Sequence, residues 1–238
     1  MNINQGVILV GGRGERLRPL TDKLPKPMVE VAGIPFLEHV VILLERNGIK
    51  RFLFLVGYLG DKIKSYFRDG SKWGVEIDYS FEEKPLGTGG ALNLAKEKLD
   101  KTFFLLFGDS YLPIDYQRMA SIFINNKKKV VLAVYDNAFD TDVPYNVMLD
   151  KRMKIIAAYN KEKNNPLAFN FCDAGVLVVS RNVLELIGEK TPISFEDAIY
   201  SRIIAEKELG YYIAECRFYD IGTIERLKTF EQYIYNKK

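Results

Sequence analysis

The chain has 238 residues, 47% hydrophobic, 27% charged and 13% aromatic, with 34 Lys and Arg against 31 Asp and Glu for a formal charge of +3. That length predicts one α/β-sized domain able to bury its core without a disulfide or metal staple, and the mild charge argues against nucleic-acid or membrane partners. One histidine (His39), two cysteines with no Cys-x-x-Cys spacing (Cys172, Cys216) and no 18-residue apolar run exclude His-rich zinc sites, disulfide frameworks and membrane spans. They predict a cytoplasmic protein with reduced thiols and argue against a Ser-His-Asp hydrolase.

In chain order, strand-length apolar runs fall at 6–10, 51–56, 75–80, 103–107 and 130–135. Segments of helical spacing lie between them at 35–47, 62–67, 89–99 and 116–126. In the first helix Phe36, Leu37, Val40, Val41, Leu43 and Leu44 repeat at three and four residues, and Asn47-Gly48 ends it. Further on, short strands at 148–150 and 154–159 flank a turn at Lys151-Arg152. Then come a loop-like stretch at 161–170, a strand at 174–179, a helix start at 181–186, a helix at 197–208, a strand at 211–218 and a last amphipathic helix at 224–235. No repeat or long linker divides the chain. Near-continuous apolar strands alternating with helices predict a Rossmann-like, mostly parallel sheet with helices on both faces, in which ligands sit at the carboxyl ends of the strands.

The first strand runs into Gly11-Gly12-Arg13-Gly14-Glu15-Arg16-Leu17-Arg18-Pro19-Leu20-Thr21, then Leu24-Pro25-Lys26-Pro27-Met28. Three glycines in four residues let the backbone approach a ligand and aim N–H groups at phosphate, and Arg13, Arg16, Arg18 and Lys26 add positive charge. The pattern is neither G-x-G-x-x-G, since Leu17 holds the third glycine position, nor a P-loop. A second cluster, Glu82-Glu83-Lys84-Pro85-Leu86-Gly87-Thr88-Gly89-Gly90, follows a strand and opens a helix. The apolar run 103–107 ends in Gly108-Asp109-Ser110 at the expected ligand edge, and Asp220-Ile221-Gly222-Thr223 repeats that design far downstream.

GGRGERLRPLTDKLPKPM resembles the motif of the sugar-1-phosphate nucleotidyltransferases, GG-x-G-T-R-L-x-P-L-T…P-K-P, with Glu15 where that family carries Thr or Ser. The resemblance implies transfer of a nucleotidyl group from an NTP to a sugar 1-phosphate, with release of pyrophosphate. Gly11, Gly12, Gly14 and Arg16 would cradle the triphosphate, and Lys26, its approach set by Pro25 and Pro27, would stand on the α-phosphate. Asp109, beside Gly108, and Asp220 would together hold Mg2+, which takes one or two carboxylates and leaves its other positions to phosphate and water. In the family the segment E-x-P-L-G-T-G lies against the base, which here names Glu82, Pro85, Gly87 and Thr88. A carboxylate of Glu82 or Glu83 could accept the adjacent N1–H and amino donors of guanine, whereas uracil and thymine offer one N–H, so GTP is the favoured donor.

The resemblance is fainter in the second half, expected to bind the sugar phosphate (about 136–238) as the first half (about 1–135) binds the nucleotide. It implies Lys161, with Lys163 as competitor, on the sugar phosphate, with Asn160 replacing the usual acid; Asp173 and Gly175 at a sugar hydroxyl; Glu196 on the sugar; and amide or backbone contacts from Asn146. Glu196 also fits a capping motif opening the next helix. His39, Trp73 and Lys127–Lys129 read as packing or solvated positions. A homo-oligomer is compatible with this sequence. The rival activities are a cytidylyltransferase acting on a small phosphorylated alcohol or amine, and uridylyl or thymidylyl transfer to a sugar 1-phosphate. A non-catalytic module would lack a metal aspartate or Lys26, and an oxidoreductase would need the missing glycine fingerprint.

Overall fold

The computed structural model describes residues 3–138, 141, 143–160 and 169–237. Its centre is a seven-stranded sheet: β1 (Gln5–Val10), β2 (Arg51–Val56), β3 (Glu76–Phe81), β4 (Thr102–Phe107), β5 (Val130–Tyr135), β6 (Cys172–Ser180) and β7 (Leu209–Ile213). The order is β7-β5-β6-β4-β1-β2-β3. β1 pairs in parallel with both β2 and β4, β2 with β3, and β7 with β5; β6 runs antiparallel to β4 and β5. The mostly parallel α/β sheet expected from the sequence is what forms, and both halves of the chain contribute strands to it.

β2, β4 and β5 are almost continuously apolar because helices cover both faces, whereas the edge strand β3 alternates, with Glu76 and Asp78 exposed. Along β4 the pleat sends Phe103 and Leu105 to one face and Phe104 and Leu106 to the other. The first face packs on α3 (Gly87–Leu94) and α5 (Phe195–Ala205) through Leu92, Ile199 and Ile203. The second packs on α1 (Phe36–Arg46), α2 (Gly60–Phe67), α4 (Tyr116–Asn126) and α6 (Ile224–Asn236), through residues such as Leu37, Phe67, Met119 and Phe230. His39 closes the edge of that layer, its Nε2 2.9 Å from the Val31 carbonyl and its ring edge-on to Phe230. Trp73 packs on Phe67 at 4.9 Å. An antiparallel ribbon, Val147–Asp150 with Ile155–Tyr159, flanks α5 and β7.

Several expected boundaries shift; the helix expected at 62–67 begins at Gly60 and the strand expected at 174–179 begins at Cys172. The strand expected at 211–218 occupies Leu209–Ile213, because Ile213 pairs with Val134 near the end of β5 and the chain then has no partner strand to follow. The helix expected at 89–99 starts two residues earlier and stops at Leu94, giving way to a 3-10 turn at Lys96–Lys98. The helix expected at 197–208 is Phe195–Ala205, because Ser194 accepts the Asp197 N–H and so caps it two residues sooner. The segment Arg181–Leu186 is a 3-10 helix. Among the described residues no helix is long and apolar enough to cross a membrane.

Buried phenols make this core sensitive to alkali. Burial pushes the Tyr79 hydroxyl up to about 12 and that of Tyr116 further up. In the unfolded chain both ionise near the ordinary value, so the folded state holds more protons above it and the slope of stability with pH is negative there. Stability should be full below pH ~10 and fall as the pH rises towards the folded-state value of Tyr79, seen as a declining urea midpoint across that window. A midpoint that holds constant through it would contradict the burial of these hydroxyls.

Candidate active site

The chain reverses its direction of progress through the sheet between β1 and β4, and in such sheets the crevice at the carboxyl ends opens there. A cavity of about 640 Å³ occupies it, lined by the ends of β1, β2 and β4, the loop 11–16, Lys26, Pro27, the segment 82–88, Asp109 and Gly222. Of the expected nucleotide-side residues, Gly11, Gly12, Gly14, Arg16, Lys26, Glu82, Pro85, Gly87, Thr88, Gly108 and Asp109 all line it, and Glu15 and Arg13 do so as well. Asp220 and Glu83 are not in its wall.

The loop is held in shape by its own chain. Gly14 takes a left-handed φ of +65°, Thr21 donates its hydroxyl to the Gly14 carbonyl at 2.9 Å, and Leu17 is fully buried beneath it. A Cβ at residue 14 would stand 2.7 Å from Cβ of Lys26, so the glycine lets the lysine pass close under the loop. Lys26 Nζ then reaches Asp109 Oδ2 at 2.5 Å; the side chains are 13% and 34% exposed. This pair joins the cation expected on phosphate to the carboxylate expected at the metal, inside the cavity.

Asp109 and Asp220 come together through a short ladder. Ser110–Tyr111 pairs antiparallel with Tyr219–Asp220, and the Ile221 N–H donates to the Asp109 carbonyl at 3.1 Å. Arg226 Nη1 lies 3.2 and 3.1 Å from the two Asp220 oxygens, and Oδ1 also accepts the Gly222 N–H at 2.7 Å. Two carboxylates without nitrogen or sulfur donors suit a hard cation such as Mg2+, with the rest of its shell left to phosphate and water. Among the described residues no cluster of three His, Cys, Asp or Glu forms a closed protein cage.

On the base side the geometry differs from expectation. Glu82 does not present two open oxygens: Oε2 accepts the Leu86 N–H at 3.0 Å, and Oε1 lies over Gly11 and Gly57, 2.7 and 2.6 Å from where their Cβ atoms would be. It braces its own loop against the ends of β1 and β2. The three glycines that follow also serve the protein itself, including Gly90, where a Cβ would stand 2.8 Å from Cβ of Leu86. Gly87 has φ +76°, and a Cβ there would meet the Ile193 carbonyl oxygen at 2.4 Å; at Gly89 the Ile193–Ser194 main chain lies 3.2 Å away. Gly87 thus lines the cavity, as the resemblance implies, and also lies against main chain from the second half.

In the second half Asn146, Asp173 and Gly175 converge. Asn146 Oδ1 accepts the Asp173 N–H at 2.8 Å, and Asp173 Oδ1 accepts the Gly175 N–H at 2.8 Å. Tyr159 donates its hydroxyl to Asp173 Oδ2 at 3.1 Å, and its ring meets that of Tyr200 edge-on at 4.8 Å. Burial first, then Asp173 and Glu196, push the Tyr159 hydroxyl far up, so it stays a proton donor. Glu196 is 8% exposed at the start of α5. Lys161 and Lys163 lie outside the described residues.

Residues 5–237 match the model of the nucleotidyl transferase family. The chain belongs to that family. It is 32% identical over 222 residues to a mannose-1-phosphate guanylyltransferase of Mycobacterium tuberculosis, covering 92% of this chain and 61% of that protein, so it spans less than two thirds of that relative's length. A D-glycero-alpha-D-manno-heptose 1-phosphate guanylyltransferase of Aneurinibacillus thermoaerophilus is 31% identical over 221 residues, 92% of this chain and 93% of that one. The fold matches the crystal structure of HddC from Yersinia pseudotuberculosis at 23% identity and a TM-score of 0.82, over 98% of this chain and all of that one.

Within this nucleotidyl transferase fold, sequence reasoning missed Arg226 and Tyr200. Arg226 follows Asp220 by six residues, a spacing that no local pattern flags. Tyr200 reads as one more apolar helix position, yet its buried hydroxyl has no hydrogen-bond partner among the described residues. The close fit at residue 87 can be measured. Gly87→Ala should lose about 1–3 kcal/mol of stability through its left-handed φ and the main-chain clash. Gly12→Ala, with open space around its Cβ position, should stay within about 0.5 kcal/mol in urea denaturation. Equal costs at the two sites would refute the close approach of Ile193.

Proposed function

We propose that this protein transfers a guanylyl group from GTP to a hexose or heptose 1-phosphate, giving a GDP-sugar and pyrophosphate. The observation that carries this reading is the single cavity in which a glycine loop, Arg16, Lys26 and Asp109 meet at the carboxyl edge of the sheet. The guanine preference is supported by two relatives named as guanylyltransferases, each about a third identical over 92% of the chain. Glu82, with one oxygen committed to Leu86, supports it less than the sequence alone suggests.

In this reaction an oxygen of the sugar phosphate attacks the α-phosphorus in line, a new P–O bond forms, and the bond to pyrophosphate breaks. The attacking phosphate is already ionised, so no side chain has to take a proton, in keeping with a cavity that holds no histidine. Backbone N–H groups of loop 11–14 and the guanidinium of Arg16 bind the triphosphate, and Lys26 leaves Asp109 for the α-phosphate and offsets the charge developing there. Asp109 and Asp220 would hold Mg2+, which when bound would neutralise charge on the phosphates. Asn146, Asp173, Gly175 and Glu196 orient the sugar hydroxyls, with Lys161 on the sugar phosphate. The unpaired thiols and charged, soluble substrates suit a cytoplasmic setting.

The test is pyrophosphate release from GTP, UTP, CTP and dTTP with mannose, glucose and heptose 1-phosphates and inositol 1-phosphate. GTP with a hexose or heptose 1-phosphate should turn over fastest; preference for UTP or dTTP defeats the guanine assignment, and CTP with inositol phosphate defeats the acceptor class. Asp109→Asn should lower kcat by about 100-fold or more with the fold intact. Lys26→Ala should lower kcat more than it raises the KM of the sugar phosphate, since its charge acts on the transition state. An effect confined to that KM would move Lys26 to the acceptor's site.

A further inference from the structure

Four hydrogen bonds tie the loop 86–90 to the chain just ahead of α5. The Ile193 N–H donates to the Leu86 carbonyl at 2.9 Å, and the Gly89 and Gly90 N–H groups converge on the Ile193 carbonyl at 3.0 and 3.4 Å. The fourth involves a side chain: the Phe195 N–H donates to Thr88 Oγ1 at 2.7 Å across 107 positions of sequence. Phe195 is the first residue of α5, so no carbonyl of that helix can accept its N–H. The helix's own N-cap, Ser194, is engaged by the Asp197 N–H at 3.1 Å. Thr88 therefore completes the cap of α5 from outside it.

The same threonine lines the nucleotide-side cavity beside Pro85 and Gly87. One residue beyond Phe195 stands Glu196, buried near Tyr159 and Tyr200 in the cluster built on Asp173. Thr88 thus lines the cavity and also holds the first turn of α5, which carries Glu196. The glycines at 87 and 89 let the two main chains lie close enough for this bond, since a Cβ at either would press on residues 193–194.

We propose that Thr88 is a positioning residue that couples the two substrate sites: a nucleotide seated against segment 85–88 steadies Thr88, and through the Phe195 N–H steadies the first turn of α5 and Glu196. Sugar 1-phosphate then binds more tightly to the nucleotide-loaded protein, and by linkage the nucleotide binds more tightly with the sugar phosphate present. The identity of the ligands rests on guanylyl transfer as proposed above; the coupling is a property of the loop itself.

Thr88→Val keeps the shape and removes the acceptor, and Thr88→Ser keeps the acceptor. Hydrogen exchange over residues 193–197 is followed with no nucleotide and with GTP, UTP, CTP and dTTP in turn, without acceptor substrate. At least one nucleotide should slow exchange in the wild-type protein and in Thr88→Ser, whereas in Thr88→Val exchange should be fast with or without it. In steady state the KM for the sugar 1-phosphate should rise about 5- to 30-fold in Thr88→Val, more than the KM for the nucleotide, with serine restoring it. Nucleotide protection in Thr88→Val equal to wild type, no protection in the wild type by any nucleotide, or an equal rise in both KM values overturns the coupling. If the wild-type protein turns over no sugar 1-phosphate, guanylyl transfer to sugars fails, while the exchange measurement still decides the role of Thr88.

Discussion

Strand β1 hydrogen-bonds in parallel to β2 on one side and to β4 on the other, and the site depends on that arrangement. Chain leaving β1 moves outward to β2 and β3, while β4 begins the opposite half of the sheet, so the loops after β1 and β4 diverge and leave a crevice between them. Gly11–Arg16 continues β1, Glu82 follows β3, and Gly108-Asp109 continues β4. A parallel sheet delivers these loops to one edge because every parallel strand ends there. The apolar residues that make each strand also fix where its polar successor must emerge.

The second half of the chain reaches the same edge of the sheet through antiparallel β6. Running against β4 and β5, it carries Asp173 and Gly175 at its start towards the edge where β4 ends. Asn146, just before the ribbon beside α5, accepts the Asp173 N–H, and Tyr159, at the end of that ribbon, donates to the Asp173 carboxylate and helps to orient it. The two halves then meet through main chain, as residues 86–90 and 193–195 lie against each other with glycine at 87 and 89 where a side chain would intrude. Charge pairing finishes the assembly: Lys26 rests on Asp109 in the cavity wall and Arg226 on Asp220 outside it, so each aspartate lies beside a cation.

Much of this was legible in the residues. The apolar runs located the strands of the first half to within two residues, and the expected class of sheet forms. Gly11, Arg16, Lys26, Pro85, Thr88 and Asp109, separated by up to 98 positions, line one cavity. Local sequence did not show what Glu82 and the glycines at 87 and 89 would lie against. Their neighbours, Leu86 and Ile193, are recruited by folding, and a motif does not record which backbone will lie against it.

The sequence by itself determined the periodicities, and through them the strands, the helices and the loops rich in glycine and cations, because these follow from interactions within a few residues. Family motifs added the chemistry that those loops could carry. Only the tertiary structure decided that Asp109 and Asp220 share a ladder, that Arg226 occupies Asp220, and that Thr88 caps a helix 107 positions away. Those contacts join segments remote along the chain. Their partners are chosen by strand order and by which surfaces can approach, and no local pattern encodes that choice.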